Sequence, residues 1–109
     1  MAFFFLCSVS NENIMGDKIN ILLVDDSTRV VKAVTSMLNR LPNVNHISVA
    51  NTIKKSQIIL KKEYINVVIL DIHLPDGNGL GLLNWIKKNY PHIVVVIFSN
   101  ESYQMLRAT

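Results

Sequence analysis

Four short apolar runs recur along the chain, with longer amphipathic stretches between them. They read INILLV, HISVA, VVIL and IVVVIF, at residues 19–24, 46–50, 67–70 and 93–98. Short apolar runs that are bounded by turn residues predict strands. Their near-continuous apolar character is typical of strands in a sheet that is covered on both faces.

The stretches between the runs repeat apolar residues at helical spacing. The first predicted helix carries its apolar face on Val30, Val34, Met37, Leu38 and Leu41. Ser27 can cap this helix, and Pro42 stops it. Asn51 or Thr52 can cap a second helix that runs to about Lys62. A third helix is marked by Leu80, Leu83 and Ile86, and a fourth begins within residues 102–109.

Strand and helix therefore alternate four times along the chain. Strands joined by helices of this length run parallel, with right-handed crossovers. The sequence thus predicts an α/β fold with an open, doubly wound parallel sheet. In such sheets, ligands bind outside the carboxyl ends of the strands.

Composition limits the protein to one small domain without disulfides. The chain has 109 residues and a net charge of +3, and its one cysteine, Cys7, excludes an intrachain disulfide. Its lysines come largely as doublets on predicted helices, which is typical of solvated faces, so we predict no nucleic-acid contact. No apolar run reaches the roughly 18 residues of a membrane span. We expect a cytoplasmic protein.

The N-terminal block MAFFFLCSV departs from the alternating pattern. It has no Lys or Arg before it and is too short for the apolar core of a signal peptide. A second methionine, Met15, precedes GDKINILLVDD, where the pattern starts. We predict that residues 1–15 are an extension outside the domain, as a tail or a misplaced start, and that the domain comprises residues 16–109. A peripheral membrane contact through Phe3, Phe4, Phe5 and Leu6 is the alternative.

Acidic and hydroxyl side chains gather at the predicted carboxyl ends of the strands. Asp25 and Asp26 follow the first strand, Asp71 the third and Ser99 the fourth. Neighbouring carboxylates repel one another, and a divalent cation removes that cost. Mg²⁺ prefers oxygen ligands and commonly binds one or two carboxylates together with a phosphate. The cluster therefore predicts Mg²⁺ and phosphoryl chemistry.

The segments ILLVDDS, VVILDIHLPDGNG and VVVIFS together resemble the receiver domain of bacterial two-component response regulators. The resemblance covers residues 18–109 and implies the flavodoxin-like receiver fold, with strand order 2-1-3-4 in this chain. It implies a phosphorelay protein that accepts a phosphoryl group on Asp71. The Mg²⁺ ligands that it implies are Asp25, Asp26, Asp71 and the backbone carbonyl of His73. The hydroxyl of Ser99 would bond the phosphoryl group and act as the switch.

The resemblance also implies partners. The phosphoryl donor would be a sensor histidine kinase or a phosphotransfer protein, a second copy of the chain could form a homodimer, and the domain itself would not be an enzyme. A truncated receiver or pseudo-receiver that only binds other proteins is the main alternative. A phosphatase of the haloacid dehalogenase superfamily is disfavoured, because the second acid that it needs two residues after the nucleophile is replaced here by His73.

The receiver pattern continues beyond Thr109, with a fifth strand that ends in a lysine and a fifth helix. We expect these two elements to lie outside this chain, which would then be a fragment of a longer product or a truncated reading frame. Without the fifth strand, residues 93–98 would form an open apolar edge that favours association between copies.

Overall fold

The computed structural model describes residues 3–6 and 18–99, with residues 3–6 and Ser99 described through their backbone. The strands are β1 (Phe3–Leu6), β2 (Ile19–Val24), β3 (Val44–Ala50), β4 (Val67–Asp71), β5 (His73–Leu74), β6 (Gly77–Asn78) and β7 (Val94–Ser99). The helices are α1 (Thr28–Leu38), α2 (Ile53–Lys62) and α3 (Gly79–Asn89). The four predicted strands and the first three predicted helices are present. The helix predicted within residues 102–109 lies outside the described residues.

Four parallel strands form the body of one sheet. β3, β2, β4 and β7 lie side by side in that order, and each pairs in parallel with its neighbour. In the numbering of the predicted strands this is the order 2-1-3-4, so the doubly wound α/β fold is confirmed. Because β2 and β4 are parallel neighbours, their carboxyl ends lie next to each other.

Both faces of the sheet are covered by helices. Within β2, Leu22 and Val24 belong to the apolar cluster under α2 and α3, whereas Ile21 and Leu23 belong to the cluster under α1. All four side chains are at most 2% exposed. Burial on both faces explains why this run is apolar without alternation.

Two helices begin at caps that the sequence predicts. The hydroxyl of Ser27 accepts a hydrogen bond from the N–H of Val30 at 3.3 Å, and the hydroxyl of Thr52 accepts one from the N–H of Lys55 at 3.0 Å. Each hydroxyl binds one of the free N–H groups of a first helical turn. Of the two candidates for the cap of α2, Thr52 is the one in place.

The predicted apolar face of α1 is only partly correct. Val34 and Leu38 are buried, but Met37 is 49% exposed and Leu41 is 51% exposed. The helix ends at Leu38, so Leu41 no longer follows the helical face. No helix in the described part of the chain is long and apolar enough to cross a membrane.

The N-terminal segment supplies a strand that the apolar pattern of the sequence does not predict. β1 pairs antiparallel with β7, with Phe3 opposite Ser99 and Leu6 opposite Val96. The edge that was expected to be open is therefore paired over these residues. The division into an extension of residues 1–15 and a domain of residues 16–109 stays a prediction, although the backbone of β1 joins the sheet.

Candidate functional site

Three carboxylates meet where β2 and β4 end. Val24 pairs with Leu70, so the residues that follow, Asp25 and Asp71, lie side by side at this edge. One carboxylate oxygen from each of Asp25, Asp26 and Asp71 lies within 4.8 Å of the others. The structure thus brings together the three acids that the sequence predicts at this edge.

Asp25 is fixed by its neighbours on both sides. Its backbone N–H donates to the carbonyl of Ala50 at the end of β3, at 3.0 Å. Its carboxylate accepts a hydrogen bond from the N–H of Ser27 at 2.8 Å. The side chain is 3% exposed, whereas Asp26 is exposed. One acid of the pair is therefore held rigidly, and the other faces solvent.

Burial and mutual repulsion oppose the charges of this cluster. Burial, followed by the charge of Asp25, raises the pKa of Asp71 from 3.8 to about 6. Burial also raises the pKa of Asp25, and the nearby charge of Asp26 adds to the effect. A divalent cation would favour the charged forms of these groups. The donor set of three clustered carboxylate oxygens fits a hard cation such as Mg²⁺.

A two-residue hairpin follows Asp71. β5 and β6 pair His73 with Asn78 and Leu74 with Gly77. The N–H of His73 donates to the carboxylate of Asp71 at 3.4 Å, and the His73 side chain is exposed. The chain after β4 thus folds back on itself, with the N–H at its base donating to the Asp71 carboxylate.

Gly79 closes this loop against the backbone of the acid. Its N–H donates to the carbonyl of Ile72 at 2.6 Å. A Cβ atom at Gly79 would overlap the carbonyl oxygen of Asp71 and lie 3.0 Å from the Cα of Ile72. Only a residue without a side chain fits this approach at the start of α3.

Ser99 lies at the same edge of the sheet. It ends β7, directly after Phe98, which pairs with Asp71. Its backbone is thus next to the end of β4, and the role of its hydroxyl stays a prediction.

Asp76, on the loop after Asp71, contacts the first turn of α2. The carboxylate accepts hydrogen bonds from the N–H groups of Ile53 and Lys54, at 2.8 and 3.0 Å. These two bonds hold the pKa of Asp76 below its ordinary value. No local pattern marks a cap that comes from a loop more than twenty residues away in sequence.

Comparison with solved structures supports the same architecture. The structure is similar to that of the MaeR response regulator bound to beryllium trifluoride, with a TM-score of 0.76 and 26% sequence identity, over 82% of this chain and 73% of that one. It is also similar to an RcsB response regulator of Salmonella typhimurium, with a TM-score of 0.68 and 23% identity, over 72% of this chain and 41% of that one. The second likeness concerns the fold alone.

Curated relatives match over a limited part of their length. The chain is 32% identical over 84 residues to protein-glutamate methylesterase/protein-glutamine glutaminase 2 of Pseudomonas syringae, covering 77% of this chain and 24% of that protein. It is 34% identical over 84 residues to the corresponding protein of Pyrococcus horikoshii, covering 77% of this chain and 23% of that one. The chain spans about a quarter of the length of these relatives. The family model for the response regulator receiver domain matches residues 21–109. This chain therefore belongs to the response regulator receiver domain family, which works in phosphorylation-based signalling.

Proposed function

We propose that the chain receives a phosphoryl group on the carboxylate of Asp71, with Mg²⁺ held by Asp25, Asp26, Asp71 and the backbone carbonyl of His73. The observation that carries the proposal is the convergence of three carboxylates within 4.8 Å at one sheet edge of a receiver fold. The rigid parallel strands β2 and β4 aim these groups at a common point.

The chemistry follows from the placement of the side chains. An oxygen of Asp71 attacks phosphorus, an O–P bond forms, and the bond between phosphorus and the leaving group of the donor breaks. Phosphoryl transfer depends mainly on positioning and on neutralising the charge of the transferred group. Bound Mg²⁺ supplies that neutralisation. Asp25 and Asp26 would provide oxygen ligands for it, and the resemblance to the family assigns to the hydroxyl of Ser99 a hydrogen bond to the phosphoryl group.

Two features of the relatives agree with this role. MaeR, which shares the fold and 26% identity, is bound to beryllium trifluoride in its structure. The curated methylesterases match this chain over about a quarter of their length, and the receiver model covers residues 21–109 of it. We therefore propose a receiver rather than an enzyme. Its donor is a sensor histidine kinase or a phosphotransfer protein in the cytoplasm. In the same proposal, two copies of the chain form a homodimer.

The function depends on the metal site, so a Mg²⁺ titration tests it. Amide resonances of residues 24–27 and 71–73, followed by NMR, should shift with added Mg²⁺ in the parent chain. Asp26→Asn should abolish the shifts, because it removes the solvent-facing carboxylate of the pair. Glu63→Gln is the matched control, since Glu63 lies at the other end of α2 from the site and its loss removes the same charge. If Asp26→Asn titrates like the parent, the site assignment is wrong. A pseudo-receiver without the metal site would show no shifts in any of the three proteins.

A further inference from the structure

The first turn of α2 is capped by two different parts of the chain. Thr52 accepts from the N–H of Lys55, as a local cap does. The two preceding N–H groups, of Ile53 and Lys54, donate to the two oxygens of the Asp76 carboxylate at 2.8 and 3.0 Å. The free donors of this helix end are thus shared between its own cap and a carboxylate on the loop after Asp71.

Asp76 lies at the tip of the β5–β6 hairpin, and this tip packs against the start of α2. The tip is the turn between Leu74 and Gly77, two residues that pair with each other. A Cβ atom at Gly77 would lie 2.9 Å from the Cδ1 atom of Ile53. Close packing and two hydrogen bonds therefore fix the hairpin tip on the start of α2.

The base of the same hairpin lies at the acidic site. His73 begins β5, and its N–H points to the Asp71 carboxylate at 3.4 Å. The hairpin is only two residue pairs long, so a displacement of its tip moves its base as well. The orientation of the His73 carbonyl consequently depends on where the tip is anchored.

The junction between β3 and α2, residues 50–54, also holds the opposite side of the site. The carbonyl of Ala50 accepts the hydrogen bond from the N–H of Asp25 at 3.0 Å. The segment that carries Asp25 and the hairpin that carries His73 are therefore both tied to one short piece of chain. A shift of residues 50–54 would change the distance between the two sides.

We propose that Asp76 is a positioning residue for the metal site: by anchoring the hairpin to the first turn of α2, it holds the His73 carbonyl and the Asp71 carboxylate at the spacing that a divalent cation needs. The proposal rests on the function proposed above. It also makes the start of α2 responsive to the site, because an anchored hairpin transmits its movement to Ile53 and Lys54.

The test separates this role from simple capping of α2. Asp76→Ala removes the anchor, whereas Thr52→Ala removes the other cap of the same turn and leaves the hairpin anchored. Both variants of the full chain are titrated with Mg²⁺ at about 0.5 M salt, where the lost charge of Asp76 is largely screened. Binding is read from the amide shifts of residues 24–27 and 71–73, and helix stability from thermal melting.

Asp76→Ala should weaken Mg²⁺ binding about 10-fold, the lower end of the usual cost of losing a group that orients metal ligands. Thr52→Ala should lower the melting temperature but leave the Mg²⁺ affinity within about twofold of the parent. In the parent and in Thr52→Ala, the amides of Ile53 and Lys54 should also move with Mg²⁺. In Asp76→Ala that response should be lost.

Equal weakening by both variants, or parent-like binding by Asp76→Ala, would overturn the proposal. If Asp76→Ala does not fold, Asp76→Asn is read in its place; it keeps one acceptor oxygen and should weaken binding by a smaller factor, and parent-like binding would count against the proposal equally. Asp26→Asn distinguishes the two levels of failure. Its unchanged titration would refute the metal site itself, whereas its failure to bind, together with normal binding by Asp76→Ala, would refute only the positioning role.

Discussion

At the scale of single residues, Asp71 is a carboxylate whose charge the fold disfavours. Its folded pKa, about 6, lies above the ordinary value of 3.8, chiefly because it is partly buried and secondly because Asp25 is charged. The metal-free protein therefore binds this proton more tightly than the unfolded chain does. Protonation of Asp71 therefore stabilises the folded state at low pH, and this stabilisation is lost as the pH rises through about 6.

Asp71→Asn removes this pH dependence. Without metal, the variant should be more stable than the parent at pH 7, and the difference should shrink as the pH falls toward 4, where the parent carboxyl is protonated in the folded state. Urea unfolding of both proteins in metal-free buffer measures the difference. A stability difference that stays constant between pH 7 and pH 4 would show that the pKa of Asp71 is not raised in the folded protein.

Substitution by alanine should have opposite effects on stability at two glycines of α3. Gly79→Ala should destabilise the protein by about 1–3 kcal/mol, because its methyl group would overlap the carbonyl of Asp71 and the surroundings must shift. Gly81→Ala should stabilise it by about 0.5–1 kcal/mol, since the new methyl group meets nothing within 4 Å beyond the backbone of its own helix and the adjacent residues, and the helix gains from alanine. Thermal or urea unfolding compares the two. Destabilisation of similar size in both would contradict the close approach at Gly79.

The sequence predicts the acids of the site, but it does not predict the hydrogen bonds between loops that hold the site in place. Asp25, Asp26 and Asp71 are identifiable because each follows an apolar run, and parallel strands bring such positions to one edge. The hydrogen bonds of Asp76 to α2 are not identifiable, because they join segments that are distant in sequence and depend on where the hairpin tip lies. Local patterns reveal strand ends, but contacts between loops require the assembled fold.

At the scale of secondary-structure elements, the least expected feature is the pairing of β1 with β7. The sequence predicts the four parallel strands from their length and apolar character. It does not predict β1, because Phe3–Leu6 is separated from β7 by most of the chain and lies before the alternating pattern begins. The small hairpin of β5 and β6 is missed for another reason, since strands of two residues have no periodicity to detect.

The pairing of β1 predicts that the N-terminal segment protects the edge of the sheet. Residues 15–109 alone should self-associate through the exposed edge of β7, because an apolar edge strand is a template for further pairing. The full chain should associate less at the same concentration. Sedimentation velocity of the two proteins measures the difference.

A variant that keeps all 109 residues controls for chain length. Adjacent N–H groups point to opposite sides of a strand, so Phe4→Pro combined with Phe5→Pro removes a hydrogen bond to β7 whichever residue donates it. This variant should associate like residues 15–109. If all three proteins sediment as the same monomer, β1 does not protect this edge.

At the scale of the whole molecule, the apolar contacts that stabilise the sheet and the acids of the candidate site lie in different places. Apolar clusters on both faces hold the strands, and the acids lie at one edge, where Asp25 is buried but belongs to neither cluster. Rigid strands can therefore place Asp71 and Asp25 side by side without placing a carboxylate within either apolar cluster. Membership of the receiver family and this arrangement of acids are consistent with each other, since the family acts in phosphorylation-based signalling.

The central claim is that Asp71 is the phosphoryl acceptor, and site mapping after chemical phosphorylation tests it most directly. The full chain is incubated for long times with a small acyl phosphate and Mg²⁺, and mass spectrometry locates any modification. We expect one phosphoryl group on Asp71 that depends on Mg²⁺, is absent from Asp71→Asn and is retained in Glu63→Gln. Modification of His73 or Ser99 instead, or equal modification of Asp71→Asn, would contradict the account.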